Sequence, residues 1–212
     1  MRILGLDQSL TRTGWCLLTG TRGSPEFKVG SESGFDDATE FCHWLAGFLD
    51  ERWPEFVVWE RPTPRVMIYA KKGLVGGMTT PNASQLVLPQ LAGMIEMACW
   101  DRDIAHIDVA SNTWRARVIG KGSGNLPASK TKKAALQACE QFKIPVKNAD
   151  QAEAALIALY GMTSDHYRLM TQRHDFRATV AANPLRLQSS HHESENSDSL
   201  KTPLKPSKPG VE

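Results

Sequence analysis

Four carboxylates stand where a folded chain can put them to chemical use. Asp150 and Glu153 lie three residues apart, so on a helix both project from one face. The residues that follow, Ala154-Ala155-Leu156-Ile157-Ala158-Leu159, are apolar all round, which is how a buried helix reads. Charges at the head of such a helix need a compensating partner. Asp7 ends the apolar run Ile3-Leu4-Gly5-Leu6, and Glu60 ends Phe56-Val57-Val58-Trp59. In open α/β sheets, ligands bind beyond the C-terminal ends of the strands. Each carboxylate also has a plainer reading: a solvated strand end for Asp7 and Glu60, a helix-dipole or capping role for Asp150 and Glu153. If the four cluster, their oxygen-only donor set suits Mg²⁺ or Mn²⁺. Two such ions about 3.5–4 Å apart clamp the attacking and leaving oxygens of an in-line phosphodiester displacement. That chemistry needs no Ser or His nucleophile, and no persuasive Ser–His–Asp grouping stands out.

Basic residues gather in one stretch. Arg115, Arg117, Lys121, Lys130, Lys132 and Lys133 fall within nineteen positions, and Gly120, Gly122 and Gly124 lie among them. Glycines let backbone approach a phosphate closely, and the start of a following helix offers free N–H groups. For Lys132 and Lys133 a solvated face of an amphipathic helix explains the pattern equally well. A second group, Arg61, Arg65, Lys71 and Lys72, flanks Met67-Ile68-Tyr69. An apolar tip in a basic loop can wedge into a junction or stack on a base. It can equally pack on its own domain.

The elements that must hold these residues follow from periodicity and punctuation. Strands are predicted at Ile3–Leu6 and Trp15–Leu18, joined as a hairpin by Ser9, Thr11, Thr13 and Gly14, with a weaker third strand over Lys28–Ser33. Phe41, Leu45, Phe48 and Leu49 share one face of a helix from Ala38 to Trp53, which Pro54 ends. Phe56–Trp59 reads as a strand covered on both faces. After Pro62 and Pro64 a loop runs to Thr80. A helix then starts at Thr80-Pro81 and continues to Asp103, kinked at Pro89. A short strand is predicted at Ile104–Val109, then a helix capped by Ser111 that runs through Trp114. After a glycine-rich loop at Gly120–Pro127, Ser129 is expected to cap a helix to Phe142, and Asp150–Met162 forms the last one. Trp15, Trp44, Trp59 and Trp100 are expected in the core. Hairpin strands followed by strands alternating with helices indicate an α/β domain around a mixed sheet.

Composition bounds these readings. At 212 residues, 41% hydrophobic and 23% charged, the chain suits one ordinary domain with a real core. A net charge of +2 is too small to mark a nucleic-acid binder by itself, so any basic surface must be local. The four cysteines form no C-x-x-C pair and have no His at zinc spacing, so reduced thiols in a cytoplasm fit better than disulfides. There is no signal-like N-terminus and no apolar stretch near the ~20 residues of a membrane span. A soluble, cytoplasmic protein is expected. From Gln188 to Glu212 the chain is mostly Ser, His, Glu, Asp, Lys and Pro, so residues 1–187 are read as the domain and 188–212 as a disordered tail.

The ordered set of motifs resembles a known family. Ile3-Leu4-Gly5-Leu6-Asp7-Gln8-Ser9-Leu10-Thr11-Arg12-Thr13-Gly14-Trp15 looks like the opening motif of the RuvC-like Holliday junction resolvases of the RNase H-like superfamily. Val57-Val58-Trp59-Glu60 is similar to their second acidic strand, and Asn82-Ala83-Ser84 to Gln90-Leu91-Ala92-Gly93 resembles their central helix. Asn148-Ala149-Asp150-Gln151-Ala152-Glu153-Ala154 looks like the closing D-x-A-D-A motif, with Glu153 where Asp is usual. The resemblance spans residues 1 to about 163. Asp7-Gln8-Ser9 replaces the usual D-P-G, and the loop after Glu60 is longer than usual. Both features look closer to divergent, phage-type members.

The resemblance implies an RNase H-like α/β fold with a mixed five-stranded sheet flanked by helices. It implies a homodimeric endonuclease of DNA recombination and repair. Each subunit would nick one of two opposed strands of a four-way junction, with water as nucleophile, leaving a 5′-phosphate and a 3′-hydroxyl. Asp7 would bridge two Mg²⁺ or Mn²⁺ ions, with Glu60, Asp150 and Glu153 completing the shell. Arg115 and Lys130 match basic positions near the scissile bond; Lys121, Lys132, Lys133, Arg65 and Tyr69 are further candidates for DNA contact. The two-fold interface is expected on the central helix through Leu86, Leu91, Met94, Ile95 and Met97, residues that can equally be core. Cytoplasm of a bacterium, or of a phage host, is the expected location. Three rivals stand beside this reading: an ATPase of the actin and sugar-kinase type, a junction-binding protein without catalysis, and a related nuclease for RNA or replication forks. The first needs a second phosphate loop, and no second D-x-G-x-T segment occurs.

Overall fold

The computed structural model describes residues 1–62 and 83–182. The first 168 residues form one compact unit; a second, from Leu169, is helical through Ala182. Expectations for the loop 63–80, which carries Arg65, Tyr69, Lys71 and Lys72, for the Thr80-Pro81 helix start, and for the tail 188–212 fall outside the described residues.

Five strands, β1 (Ile3–Asp7), β2 (Arg12–Thr21), β3 (Ser24–Ser33), β4 (Phe56–Glu60) and β5 (Ala105–Val109), form a sheet in the order β3-β2-β1-β4-β5. The β1/β2 and β2/β3 pairs are antiparallel, and β1/β4 and β4/β5 are parallel. Among the described residues six α-helices accompany them: α1 (Ala38–Arg52), α2 (Ala83–Trp100), α3 (Ser111–Val118), α4 (Ala128–Gln141), α5 (Ala149–Thr163) and α6 (Asp165–Ala182). Among the described residues no helix is long and apolar enough to cross a membrane.

The period-2 alternation of strands sorts side chains between two layers. Leu4, Leu6, Val57 and Trp59 face α1 and α2, where they join Phe41, Leu45, Phe48, Leu49, Leu91, Ile95, Ala98 and Cys99 in one buried cluster. The opposite face is covered by α5, so β1 and β4 are apolar throughout until their last residue. Helix α1 is capped by Asp37, whose carboxylate accepts from the N–H groups of Thr39 and Glu40 at 2.7 and 3.0 Å. It ends at Trp53, left-handed at φ 50°, just before Pro54.

Several sequence expectations are corrected. Strands β2 and β3 are ten residues each, longer than Trp15–Leu18 and Lys28–Ser33, because their ladder continues through polar residues to the Thr21–Ser24 pair. Apolar alternation reads burial, whereas pairing needs only backbone. Ser111 and Ser129 are not caps. The first helical carbonyls belong to Ala110 and Pro127, which accept from Trp114 and Thr131, each at 3.2 Å, so both serines lie inside the first turn. Helix α3 runs on to Val118, past Trp114. Helix α2 ends at Trp100, and Trp100 itself is 68% exposed rather than core. The fully buried tryptophan is Trp114. Helix α6 was not expected, since its sequence has no apolar stripe to announce it.

Candidate active site

Strand alternation places two of the carboxylates. Ile3, Gly5 and Asp7 share the α5 face of β1. Register pairs Gly5 with Val58, so Phe56, Val58 and Glu60 share that face of β4. Asp7 and Glu60 therefore end two adjacent parallel strands and point to the same side. The turn after β1 is pinned: Thr13 Oγ1 donates to the Ser9 carbonyl at 2.7 Å, and the Ser9 N–H donates back to Thr13 Oγ1 at 3.1 Å. The buried Gln8 side chain donates through Nε2 to the Glu60 carbonyl at 2.6 Å, tying the two acidic strand ends together.

Helix α5 brings the other two. Asn148 caps it by accepting from the Gln151 N–H at 2.9 Å, while Gln151 Oε1 accepts from the Lys147 N–H at 2.8 Å. The capping role left open for Asp150 thus belongs to Asn148, which frees the Asp150 side chain for the site. The helix reaches the sheet closely because glycine faces it. A Cβ on Gly5 would overlap the Ala154 carbonyl oxygen and the Ala158 nitrogen, and one on Gly14 would overlap the Asp150 carbonyl. Gly14 is the register partner of Asp7. Bare backbone on β2 therefore seats Asp150 beside the strand that carries Asp7. The buried residues of α5 include Asp150, Gln151 and Glu153 as well as its alanines.

Electrostatics unite the four. Burial pushes the Asp7 carboxyl well above its ordinary range, and the charges of Glu153, Glu60 and Asp150 push it further, with Lys132 opposing. Burial also raises Glu60, against the hydrogen bond from Trp114 and the charge of Arg115. Glu153 is raised by burial too; Arg115 opposes that shift and Glu60 adds to it. Cations hold three of the carboxylates. Arg12 Nε lies 3.0 Å from Asp150 Oδ2, and Lys132 Nζ lies 3.0 Å from Asp150 Oδ1. Arg115 reaches Glu153 at 3.0 Å and Glu60 at 3.5 Å. Among the described residues no ion pair or side-chain hydrogen bond reaches the Asp7 carboxyl.

Helix α3 supplies Arg115, α4 supplies Lys132, and Arg12 stands at the start of β2. Trp114 Nε1 donates to Glu60 Oε2 at 2.9 Å, and the Arg115 guanidinium lies 4.9 Å from the centre of the Trp114 ring. Of the candidate DNA-contacting residues, Lys121, Lys130 and Lys133 are exposed, and Lys132 is exposed while bonded to Asp150. Arg115 is turned inward, its side chain only 15% exposed. Gly120 and Gly122 adopt positive φ of 122° and 91°, a conformation that favours glycine. Sequence reasoning missed Arg12, Gln8 and Trp114 as site residues. For Arg12 a signal existed, since it lies five residues from Asp7 in the same motif. Gly14 in a strand interior was also a sign of close backbone approach.

The donor set is oxygen-only and anionic, which fits a hard divalent cation. Among the described residues no three His, Cys, Asp or Glu side chains are arranged to hold a metal ion as they stand. The positions between the carboxylates are taken by Arg115 and Lys132.

No protein-family model and no curated protein sequence matches the chain. Solved structures do. Thermus thermophilus RuvC, in a complex with a Holliday junction substrate, aligns with a TM-score of 0.52 and 14% identity, covering 76% of this chain and 92% of that one. The fowlpox virus resolvase, in a complex with Holliday junction DNA, aligns with a TM-score of 0.49 and 12% identity, covering 77% and 97%. The fold is thus the mixed five-stranded α/β sheet, flanked by helices, of the RNase H-like type.

Proposed function

We propose that this chain is a metal-dependent endonuclease that cuts four-way or related branched DNA by paired phosphodiester hydrolysis. The observation that carries the reading is the crowding of the half-buried Asp7 carboxyl by the charges of Glu153, Glu60 and Asp150. Three carboxylates crowding a fourth cost stability unless a cation joins them. In this proposal Asp7, Glu60, Asp150 and Glu153 hold Mg²⁺ or Mn²⁺, two ions per site. The bound ions would polarise the scissile phosphate and supply a water-derived nucleophile.

The chain's own residues do the rest. Gln8 and the Ser9–Thr13 turn fix the ends of the strands, so the carboxylates need little reorganisation. Trp114 holds one oxygen of Glu60 and leaves the other to ligate. Exposed Lys121, Lys130 and Lys133 supply phosphate contacts, which position DNA and make its binding salt-dependent. Arg65 and Tyr69 remain candidates for the same role.

A cleavage assay tests the reading. Full-length protein is incubated with four-way junction, fork, flap, duplex and RNA substrates, with Mg²⁺, Mn²⁺ or EDTA. Paired nicks in the four-way junction, abolished by EDTA, are expected. Absence of cleavage with either metal, or cleavage undiminished in EDTA, would overturn it.

Paired cutting requires two sites related by a two-fold axis, and we propose a homodimer. Helix α2 divides its apolar residues. Leu91 and Ile95 are fully buried in the core and Met94 is partly buried, while Leu86, Met97 and Trp100 are 59–68% exposed. The exposed residues recur at helical spacing, so the proposed interface moves to that stripe. Sedimentation is expected to show a dimer that Met97→Glu weakens by at least about tenfold, since a buried unpaired charge costs several kcal/mol. A strict monomer, free and on DNA, would refute paired cutting by this route.

A further inference from the structure

We propose that Arg115 is the resident counter-ion of the carboxylate site, that a divalent cation enters by displacing it, and that the released guanidinium then engages a DNA phosphate. The inference rests on the nuclease reading above and adds a coupling between metal loading and DNA binding.

The geometry is specific to two adjacent residues of α3. The Arg115 guanidinium bridges carboxylates from two elements, Glu153 of α5 at 3.0 Å and Glu60 of β4 at 3.5 Å. It therefore lies between the side chains that a metal would have to join. Its side chain is 15% exposed, and among the described residues its buried Nε has no hydrogen-bond partner. Trp114, one residue earlier, is fully buried, donates to Glu60, and presents its ring to the guanidinium. The helix anchor thus holds Glu60 independently of the arginine, so displacement requires only the Arg115 side chain to move. Lys132 holds Asp150 in a comparable way, but it is 62% exposed and is already solvated. Arg115 is the cation whose release changes the site most.

Displacement must break the charge-assisted hydrogen bond to Glu153 and the longer ion pair to Glu60. Arg115→Gln, which keeps bulk and removes charge, should therefore bind Mn²⁺ about tenfold more tightly or better in the absence of DNA. A phosphate contact released by metal should appear in the salt dependence of DNA binding. Without metal, wild-type and Arg115→Gln protein should share one slope of log affinity against log salt. With Ca²⁺ or Mn²⁺ the slopes should separate by about 0.9, the value of one phosphate contact.

Calorimetric titration of the full-length protein with Mn²⁺, and junction binding over a salt series with and without divalent ion, test this. Arg115→Lys serves as a second variant that retains the charge but not the planar guanidinium stacked on Trp114, and should fall between the two. Trp114→Phe removes the donor to Glu60 without removing charge, and should keep the metal-dependent separation from Arg115→Gln. Unchanged or weaker Mn²⁺ binding by both Arg115 variants would overturn the inference while leaving the nuclease reading intact. A slope difference of the same size without metal would also overturn it, making Arg115 a plain phosphate contact. Absence of Mn²⁺ binding by every protein tested, including wild type, would instead overturn the nuclease reading, and the inference with it.

Discussion

Asp7→Asn is expected to abolish DNA cleavage and, in the same protein, to raise the melting temperature of the metal-free form. The two effects have one cause. Asp7 sits half-buried at the end of β1 beside the charges of Glu153, Glu60 and Asp150, and both desolvation and those charges push its protonation upward. A carboxyl raised in the folded state contributes its stability below its ordinary unfolded value, and that contribution is lost as pH rises through the raised value. Ionising Asp7 is therefore a cost to the metal-free fold, which asparagine removes at nearly the same volume. Each kcal/mol of relief appears as about 2–4 °C for a chain of this size. Metal-free wild-type protein should likewise gain stability as pH is lowered from neutral towards the carboxylate range, and Asp7→Asn should flatten that dependence. Activity should fall much further. Losing an outer-shell partner of a metal ligand costs about 10–100-fold, and losing a bridging ligand should exceed that. Scanning calorimetry in EDTA across pH, with junction cleavage in Mg²⁺, measures both. Full cleavage by Asp7→Asn would end the nuclease reading. A lowered melting temperature would mean that Asp7 is structurally satisfied and that the crowding argument is wrong.

Gly5→Ala should be strongly destabilising. The added Cβ would meet the Ala154 carbonyl oxygen and the Ala158 nitrogen, both backbone atoms of α5 that cannot rotate away. Overpacking a core typically costs about 1–3 kcal/mol, and pressure on backbone places this case at or above the upper end. Gly14→Ala presses on the Asp150 carbonyl itself, so it should lose cleavage even under conditions where it remains folded. Gly47→Ala is the control. It lies in α1 with nothing within 4 Å of its added Cβ, and should stabilise by about 0.5–1 kcal/mol through helix propensity. Denaturant unfolding of the three variants decides the matter. A Gly5→Ala protein as stable as Gly47→Ala would show that α5 does not pack on the sheet as described.

The carboxylates were legible in sequence because each sits at a boundary where pattern changes. Asp7 and Glu60 end apolar runs, and Asp150 and Glu153 begin one, so hydrophobic alternation alone puts them at the rim of the core. The cations were less legible. Arg12 and Lys132 hold different oxygens of Asp150, yet they lie 138 and 18 residues away in sequence, and only the fold brings them together. Arg115 was visible as a basic residue, but its inward turn depends on two acids from different elements. Trp100 and Trp114 show the same limit. Trp100 follows apolar Met97, Ala98 and Cys99 yet is 68% exposed, whereas Trp114 stands among polar residues and is fully buried. Helix α6 left no trace because a helix without an apolar stripe has no period to read.

Helix α5 carries Asp150 and Glu153 on its first turns and core alanines, Leu156 and Ile157 on the rest, all buried. Half of the proposed ligand shell is therefore welded to the part of the molecule that opens last. Amide exchange at residues 152–158 should proceed only by global unfolding, whereas the outer β3 edge should exchange through local opening. Such a scaffold cannot be tuned gradually from within. A mutation that shifts Glu153 through α5 also shifts the core, so its neutral drift must be slow and its tolerated variants few. The freedom to change substrate or metal preference lies instead on α3, α4 and the turn after β1, which contribute Arg115, Lys132 and Arg12 without holding the sheet together.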